Sequence, residues 1–401
     1  MPLTLSRIGT AIAPSATLAM DTKAKEFVAA GYDVIKFGVG EPDFDTPEFI
    51  RNAAKQAIDA GKTRYTAVAG TLELRKEIAA KFLNDNSVSY DPSEIIVSSG
   101  AKQVIFTALC VMLNPGDEVL IPSPCWVSYP EMVRMAGGTP VLVPCAAETG
   151  FLVTAELLKP YVTEKTKALM INTPNNPNGC IYSREILQGI ADLAVENQFY
   201  VLSDEIYEKL IYDGEEHVSI ASLGEDIKKQ TLVVNGVSKT YAMTGWRIGY
   251  GAGPKDIIKC MVAYQSHASS NANSIAQEAA RVALAAGDSR SVRDMVGEFD
   301  ARRILMHHLI NRIPGISASM PKGAFYLMAN ISALFGKKFE GEEITGSDKF
   351  AELLLSAKHV AVVPGKTFGD DTHVRLSYAT SSGKIKQGID RMAEFVSELT
   401  D

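Results

Sequence analysis

Short hydrophobic runs recur along the middle of the chain. Each is followed by a polar or glycine-rich turn and then by a stretch whose apolar residues recur with helical spacing. The runs span residues 94–99, 118–123, 168–173, 199–204 and 231–236. Apolar, β-branched runs that alternate with helices are typical of strands buried on both faces. The pattern predicts an α/β fold in which helices cover both sides of a largely parallel sheet.

The pattern changes after about residue 288. Residues 291–313 carry a long amphipathic repeat that predicts a helix. Further strands are predicted at 323–331, 359–365 and 373–379, and further helices near 347–357 and at the C-terminus. We therefore predict three parts, which are an N-terminal segment (1–45) packed on the small domain, a large domain (46–290) and a small α+β domain (291–401).

Composition and charge exclude several kinds of partner. With 401 residues, 46% of them hydrophobic and 22% charged, the chain is long enough for two domains with substantial cores. A formal net charge of -7 disfavours nucleic acid as a partner. The chain has no signal-peptide pattern and no apolar run near the ~18 residues of a membrane span. We expect a soluble, cytoplasmic protein with a small-molecule ligand and no membrane contact.

The cysteines and histidines form no metal-binding pattern. The five cysteines include no C-x-x-C pair, and the adjacent His307 and His308 would point to different sides of a helix. We predict reduced, buried thiols and no metal site.

Polar residues follow the hydrophobic runs. Ligands of open α/β sheets bind at the carboxyl ends of the strands, so these residues are predicted to share one site. They are Gly100, Ala101 and Lys102 after the first run, Trp126 after the second, Asn176 after the third, Asp204 and Tyr207 after the fourth, and Ser238 and Lys239 after the fifth.

The segment GVSKTYAMTGWRIGYG, residues 236–251, places Lys239 and Arg247 among glycines and aromatic residues. A lysine whose pKa is lowered by burial or a nearby cation can condense with an aldehyde to give a Schiff base. Arg247, the Ser238 hydroxyl and the amides of a helix that begins near Gly100 could together bind a phosphate. An exposed lysine and a structural arginine ion pair are the alternatives.

Asp204 ends the apolar run FYVLS, so its carboxylate is predicted to be buried and to need a cationic or donor partner. A protonated pyridine nitrogen would serve, but Asp204 could instead cap a helix within SDEIYEKL. On that helix Tyr207 could donate to a phenolate oxygen. Trp126 could stack on a ring or belong to the core, and Asn176 lies in the turn sequence NTPNNPNG.

Together these features match the polar surface of pyridoxal 5'-phosphate. The chain resembles the fold type I pyridoxal-phosphate enzymes, specifically the class I aminotransferases of the bacterial aspartate aminotransferase subgroup. The motifs that carry the resemblance are GEPDFDTP (40–47), YTAVAG (65–70), SSGAKQ (98–103), NPGDEV (114–119), WVSYPEMVRMAGG (126–138), NTPNNPNG (172–179), SDEIYE (203–208), SKTYAMTGWRIGY (238–250), GAFY (323–326) and HVRLSYATS (373–381). It implies a mostly parallel seven-stranded sheet between helices and a smaller α+β domain.

The resemblance also implies roles in cofactor binding. Lys239 would bond covalently to the cofactor and serve as general acid and base, while Asp204 would hold the pyridine proton. Asn176 and Tyr207 would bind the phenolate oxygen, and Trp126 would stack on the ring. The residues around the phosphate would be Gly100, Ala101, Lys102, Ser238 and Arg247, joined by Tyr65 of a second subunit. The resemblance therefore implies a homodimer in which each active site contains residues of both subunits.

The substrate roles are likewise implied by the resemblance. Arg375 would clamp the α-carboxylate, with Gly40, Trp126 and Asn176 near the substrate. Lys102 and Thr17 would read a distal carboxylate, although a helix-surface lysine and a loop threonine remain alternatives. The predicted reaction is ping-pong transfer of the amino group between L-aspartate and 2-oxoglutarate. Combined aspartate and prephenate activity, another amino-acid aminotransferase and a C–S β-lyase of the same fold remain open.

Overall fold

The structure, a computed structural model, describes residues 4–6, 9–10, 12 and 16–401, without the side chains of residues 16–19 and 21. Its helices are α1 (Ala16–Ala29), α2 (Glu48–Asp59), α3 (Leu72–Asn86), α4 (Ala101–Met112), α5 (Ser128–Met135), α6 (Ala155–Leu158), α7 (Arg184–Asn197), α8 (Glu225–Lys228), α9 (Lys255–Ala268), α10 (Ser274–Ala286), α11 (Arg290–Ile310), α12 (Ser347–Lys358) and α13 (Ser382–Ser397). Its strands are β1 (Ile35–Lys36), β2 (Ile95–Ser98), β3 (Glu118–Ser123), β4 (Thr139–Pro144), β5 (Thr166–Asn172), β6 (Tyr200–Asp204), β7 (Thr231–Gly236), β8 (Gly249–Ala252), β9 (Tyr326–Asn330), β10 (Lys338–Phe339), β11 (Glu342–Glu343), β12 (Val360–Ala361), β13 (Val363–Pro364) and β14 (His373–Ser377).

The central sheet has seven strands in the order β2-β8-β7-β6-β5-β3-β4. β8 runs in the direction opposite to the other six strands of this sheet. The predicted mostly parallel, seven-stranded α/β sheet is confirmed. The hydrophobic runs identified five of its strands but neither β4 nor β8. β8 is rich in glycine because α4 packs close to it, and a Cβ at Gly249 would collide with the backbone nitrogen of Ala101.

Helices cover both faces of this sheet, as predicted. Alternate side chains of a strand point to opposite faces, so Leu232 and Val234 of β7 pack in a core with α4 and α9. Between them, Val233 packs in a separate core with α2, α3 and α10. The sheet is therefore buried on both sides, which explains its continuous apolar runs.

The C-terminal region contains an antiparallel sheet in the order β13-β14-β9. The prediction of one strand over 359–365 is wrong, because the segment forms two short strands with different partners. β12 pairs in parallel with β1, whereas β13 pairs with β14. Hydrophobicity marks the whole segment as buried but does not reveal that it passes from one sheet to another.

The described N-terminal residues contact the C-terminal region. Besides the β1–β12 pairing, Ala24 packs against Leu355 and Ala361, and Arg391 bonds to the Asp33 carboxylate at 2.6 Å. The domain boundaries at residues 45 and 290 stay a prediction. No helix in the described part of the chain has the length and apolarity that a membrane span requires.

Candidate active site

A cavity of about 660 Å³ lies at the carboxyl ends of strands β2, β3, β5, β6 and β7. Because these strands run in the same direction, the turns that follow them meet at one edge of the sheet. The predicted site residues that line the cavity are Gly40, Ala101, Lys102, Trp126, Asn176, Asp204, Tyr207, Ser238, Lys239, Arg247 and Arg375. The structure thus brings together residues that lie far apart in the sequence.

The charged side chains around this cavity are mostly cationic. The lining contains the cations Lys25, Lys36, Lys102, Lys239, Arg247 and Arg375, and the carboxylates Glu41 and Asp204. Such an excess of positive charge favours a ligand that carries several negative charges.

Lys239 is half-buried in the cavity, and its Nζ donates to the carbonyl of Gly40 at 2.5 Å. Burial lowers the pKa of Lys239 to about 8, against the opposing effect of Glu41 and with the help of Arg247 and Arg375. An amine with this pKa is partly neutral near physiological pH and can act as a nucleophile or base. The alternative of an ordinary exposed lysine does not fit this environment.

Asp204 is buried, and its two carboxylate oxygens have different donors. The Tyr129 hydroxyl donates to Oδ2 at 2.7 Å, and the Ile206 amide donates to Oδ1 at 3.2 Å. Burial raises the pKa of Asp204 to about 6 in spite of both donors. A cation placed beside the carboxylate would therefore be stabilising.

The helix considered for SDEIYEKL is absent, because residues 206–209 form turns. Asp204 accordingly caps a turn through Ile206 rather than a helix. Tyr129 was not anticipated as its partner. It lies three residues after Trp126, and the two rings meet edge to face at 5.2 Å between centroids.

The backbone amides in the first turn of α4 and the Arg247 guanidinium place several hydrogen-bond donors close together. Arg247 Nη1 donates to the Thr244 carbonyl at 2.8 Å and Nη2 to the Ser99 carbonyl at 3.3 Å, so these partners do not neutralise its charge. A Cβ at Gly100 would collide with the Arg247 guanidinium. Glycine therefore lets the guanidinium approach the helix N-terminus, whose first amides have no partner within the helix. An anion such as phosphate fits these donors.

Arg375, on β14, is buried and also lines the cavity. Its Nη1 donates to Asn176 Oδ1 at 2.8 Å and its Nη2 to the Gly38 carbonyl at 3.0 Å. The guanidinium carbon lies 4.3 Å from the centre of the Tyr326 ring. Among the described residues Nε has no partner, so a ligand carboxylate would satisfy a buried donor that otherwise lacks an acceptor.

Lys102 and Trp126 lie together at the edge of the cavity. The Lys102 Nζ lies 4.7 Å from the centre of the Trp126 ring, and burial, assisted by Arg247, lowers the pKa of Lys102. The Lys102 residue is exposed in part and lines the cavity, so a ligand in the cavity can reach its amine.

Among the predicted site residues that the structure describes with side chains, Gly100 and Tyr65 do not line this cavity. Gly100 lies beside the Arg247 guanidinium instead. Tyr65 is 91% exposed and lines a surface depression with Arg64 and Arg281. Thr17 lies on α1, and its side chain falls outside the described residues. The roles of Tyr65 at the phosphate and of Thr17 at the distal carboxylate stay predictions.

One group of potential metal ligands lies outside the cavity. Glu205, Glu208 and His217 place ligand atoms within 4.8 Å of one another. However, the Lys81 ammonium pairs directly with Glu208 and also donates to Asn86 at 2.6 Å. A side-chain cation thus already lies against this cluster, and the prediction of no metal stays a prediction.

The family model for aminotransferase class I and II matches residues 32–392. The chain is 47% identical to the aspartate aminotransferase of Bacillus sp. (strain YM-2), over 96% of this chain and 97% of the relative. It is 44% identical to the aspartate/prephenate aminotransferase of Cereibacter sphaeroides, over 97% and 98% of the two chains. Its structure resembles the crystal structure of the Rhizobium meliloti aspartate aminotransferase, with a TM-score of 0.96, 41% identity and full coverage of both chains. The chain therefore belongs to the class I and II aminotransferases and is an enzyme of that family.

Proposed function

We propose that this enzyme uses pyridoxal 5'-phosphate to transfer the amino group between L-aspartate and 2-oxoglutarate. The observation that carries the proposal is the joint placement of Lys239, Asp204 and Arg375 in one cation-rich cavity. Each of these side chains would gain from a ligand. The pKa of Lys239 is lowered, the pKa of Asp204 is raised, and the buried Arg375 Nε has no acceptor among the described residues.

The residues fit the cofactor group by group. Arg247 and the first amides of α4 would hold the phosphate, because Gly100 leaves the guanidinium room beside them. Asp204 would hold the proton of the pyridine nitrogen, which is the cation that its buried carboxylate needs. Trp126 would supply a flat face for the ring.

Asn176 and Tyr207 would donate to the phenolate oxygen of the cofactor. The Oδ1 of Asn176 accepts from Arg375, which leaves the Nδ2 amide group of this side chain to donate to a ligand. Tyr207 is buried and lines the same cavity. Two donors at this oxygen would stabilise its negative charge.

When bound, the cofactor supplies an electron sink for the carbanion that remains after the substrate loses its α-proton. Lys239 Nζ would accept that proton and later return it, since an amine with a pKa of about 8 is partly neutral at physiological pH. Arg375 would hold the α-carboxylate and thereby orient the α-carbon toward Lys239.

Aspartate is favoured as substrate because the cavity offers a second cation for a second carboxylate. Lys102 lines the cavity next to Trp126, whereas Arg375 is paired with Asn176. The names of the Bacillus and Rhizobium relatives also support a dicarboxylic substrate.

Trapping the cofactor tests this proposal. The protein would be loaded with pyridoxal phosphate, reduced with borohydride and digested, and the label should appear on Lys239. Lys239→Ala should carry no label and lose transamination, whereas Lys36→Ala, at another cavity lysine, should keep both. A label elsewhere, or wild-type turnover by Lys239→Ala, would overturn the assignment. Aspartate should react faster than alanine or phenylalanine.

Prephenate is a second candidate amino acceptor. The observation that favours it is the name of the Cereibacter relative, aspartate/prephenate aminotransferase. Amination of prephenate with glutamate or aspartate as donor would be compared with amination of 2-oxoglutarate. Product formation from prephenate would support dual activity, and its absence at high enzyme concentration would exclude it.

The proposed enzyme is a homodimer in which Tyr65 completes the phosphate site of the partner subunit. The 91% exposure of Tyr65, on a surface depression away from its own cavity, supports this arrangement. Subunits carrying Tyr65→Ala would be refolded together with subunits carrying Lys239→Ala. A mixed dimer should regain activity because one of its two sites is intact. A monomeric wild type would contradict the proposal, as would mixed dimers that regain no activity.

A further inference from the structure

Two tyrosine hydroxyls from different sheets lie 3.0 Å apart at the cavity. Tyr207 follows β6 of the central sheet, and Tyr326 begins β9 of the C-terminal sheet. Both side chains are buried, and their rings meet edge to face at 5.8 Å between centroids. Each hydroxyl has one hydrogen, so only one of the two can donate within the pair. The other can then donate elsewhere.

The surroundings of Tyr326 restrict what its hydroxyl can bind. A Cβ at Gly40 would lie 3.4 Å from the Tyr326 oxygen, so the backbone of Gly40 covers that side of the hydroxyl. The Arg375 guanidinium lies 4.3 Å above the Tyr326 ring. Among the described residues, the Tyr326 hydroxyl has the Tyr207 hydroxyl as its hydrogen-bond partner.

Arg375 lies directly against the Tyr326 ring, which makes Tyr326 the better donor of the pair. Burial raises the pKa of both hydroxyls and Arg375 opposes the rise at both, but Arg375 is the leading opposing effect at Tyr326, whereas at Tyr207 the neighbouring Tyr326 adds to the rise. The pKa of Tyr207 is raised well above its usual value. A more acidic hydroxyl donates the stronger hydrogen bond.

We propose that Tyr326 is a positioning residue, which donates its hydrogen to the Tyr207 oxygen so that Tyr207 presents its own hydrogen to the phenolate oxygen of the cofactor. The inference rests on the proposed function, in which Tyr207 binds that oxygen. With this donor order each of the two hydroxyl hydrogens makes one hydrogen bond, and two hydrogen bonds in series strengthen one another. Tyr326 also stacks on Arg375. The series of contacts from Arg375 through Tyr326 to Tyr207 therefore connects the residue proposed to bind the α-carboxylate with the cofactor ring.

The test is the pH titration of the visible absorbance of the bound cofactor. Without the Tyr326 hydroxyl, Tyr207 becomes a weaker donor, so the phenolate oxygen is less stabilised and holds a shared proton more firmly. For Tyr326→Phe we expect the titration midpoint to rise by roughly 0.4 to 1.1 pH units, which is the effect of one neutral hydrogen bond. The cofactor dissociation constant should rise roughly 2- to 13-fold.

Tyr378→Phe is the matched control. Tyr378 is also fully buried, and its hydroxyl donates at 3.2 Å to the Ala324 carbonyl, which keeps a second donor from Tyr212 at 2.5 Å. This variant loses a buried hydroxyl near the site without touching the Tyr207 pair. Its titration midpoint should equal that of the wild type.

A double-mutant cycle decides whether Tyr326 acts through Tyr207. Tyr207→Phe alone and the Tyr207→Phe/Tyr326→Phe double variant should have the same midpoint, because no hydroxyl then remains to be positioned. A Tyr326→Phe shift of equal size in both backgrounds, or one no larger than the control's, would overturn the inference alone. A wild type that takes up no cofactor would overturn the proposed function as well.

Discussion

Replacing Lys102 with methionine should reduce activity toward dicarboxylic substrates selectively. A charge-assisted hydrogen bond is worth roughly 1.5 to 3 kcal/mol, and an exposed ion pair roughly 0.2 to 1 kcal/mol. Lys102 lies between these cases, because the residue is exposed but its amine lies 4.7 Å from the centre of the Trp126 ring. We therefore expect a loss of about 1 to 2 kcal/mol, or roughly 5- to 30-fold in kcat/KM for aspartate.

The assay compares kcat/KM for aspartate, glutamate, alanine and phenylalanine at physiological ionic strength, where long-range attraction is largely screened. Lys36→Met is the matched control, since it also removes one positive charge from the cavity lining. Lys102→Met should impair aspartate and glutamate and leave alanine and phenylalanine unchanged, while Lys36→Met should affect none of them strongly. Equal losses for all four substrates, or equal losses in both variants, would refute a contact between Lys102 and the distal carboxylate.

Asp204→Asn should change how the stability of the cofactor-free protein depends on pH. Because the folded-state pKa of Asp204 is raised to about 6, its contribution to stability is lost as pH rises from about 4 to 6. In urea unfolding, the free energy of unfolding of the variant should therefore rise by about 3 kcal/mol relative to that of the wild type between these pH values. A difference between the two proteins that does not change with pH would contradict the raised pKa of Asp204. Glu41→Gln should move the pH midpoint for reductive modification of Lys239 by a small neutral aldehyde below about 8, because the Glu41 charge raises that pKa. An unchanged midpoint would show that Glu41 has no such influence. Glu208→Gln should lower the free energy of unfolding by about 3 kcal/mol, because it removes the nearer carboxylate of the buried Lys81 ammonium and leaves it only Asp85, at 3.9 Å. A loss below about 1 kcal/mol in denaturant titration would argue that the ion pair is solvated.

Much of the central sheet could be predicted from the hydrophobic pattern. The runs that end near Asp204 and Gly236 form β6 and β7, because a strand buried on both faces needs apolar residues throughout. β8 escaped prediction because its glycines respond to the close approach of α4, which is a contact between distant segments. The division of residues 359–365 between two sheets escaped for the same reason, since pairing partners are not encoded in local hydrophobicity.

The sequence by itself determined where the cavity lies, because parallel strands place the turns after their carboxyl ends at one edge of the sheet. It did not reveal the pairs that give the site its chemistry. Tyr129 and Asp204 are 75 positions apart, Tyr207 and Tyr326 are 119 apart, and Asn176 and Arg375 are 199 apart. Only tertiary packing brings these atoms within hydrogen-bonding distance, and only burial in that packing shifts the pKa values of Asp204 and Lys239. Periodicity along the chain reports which side of an element is buried, whereas the donors and charges that meet there depend on how distant elements pack.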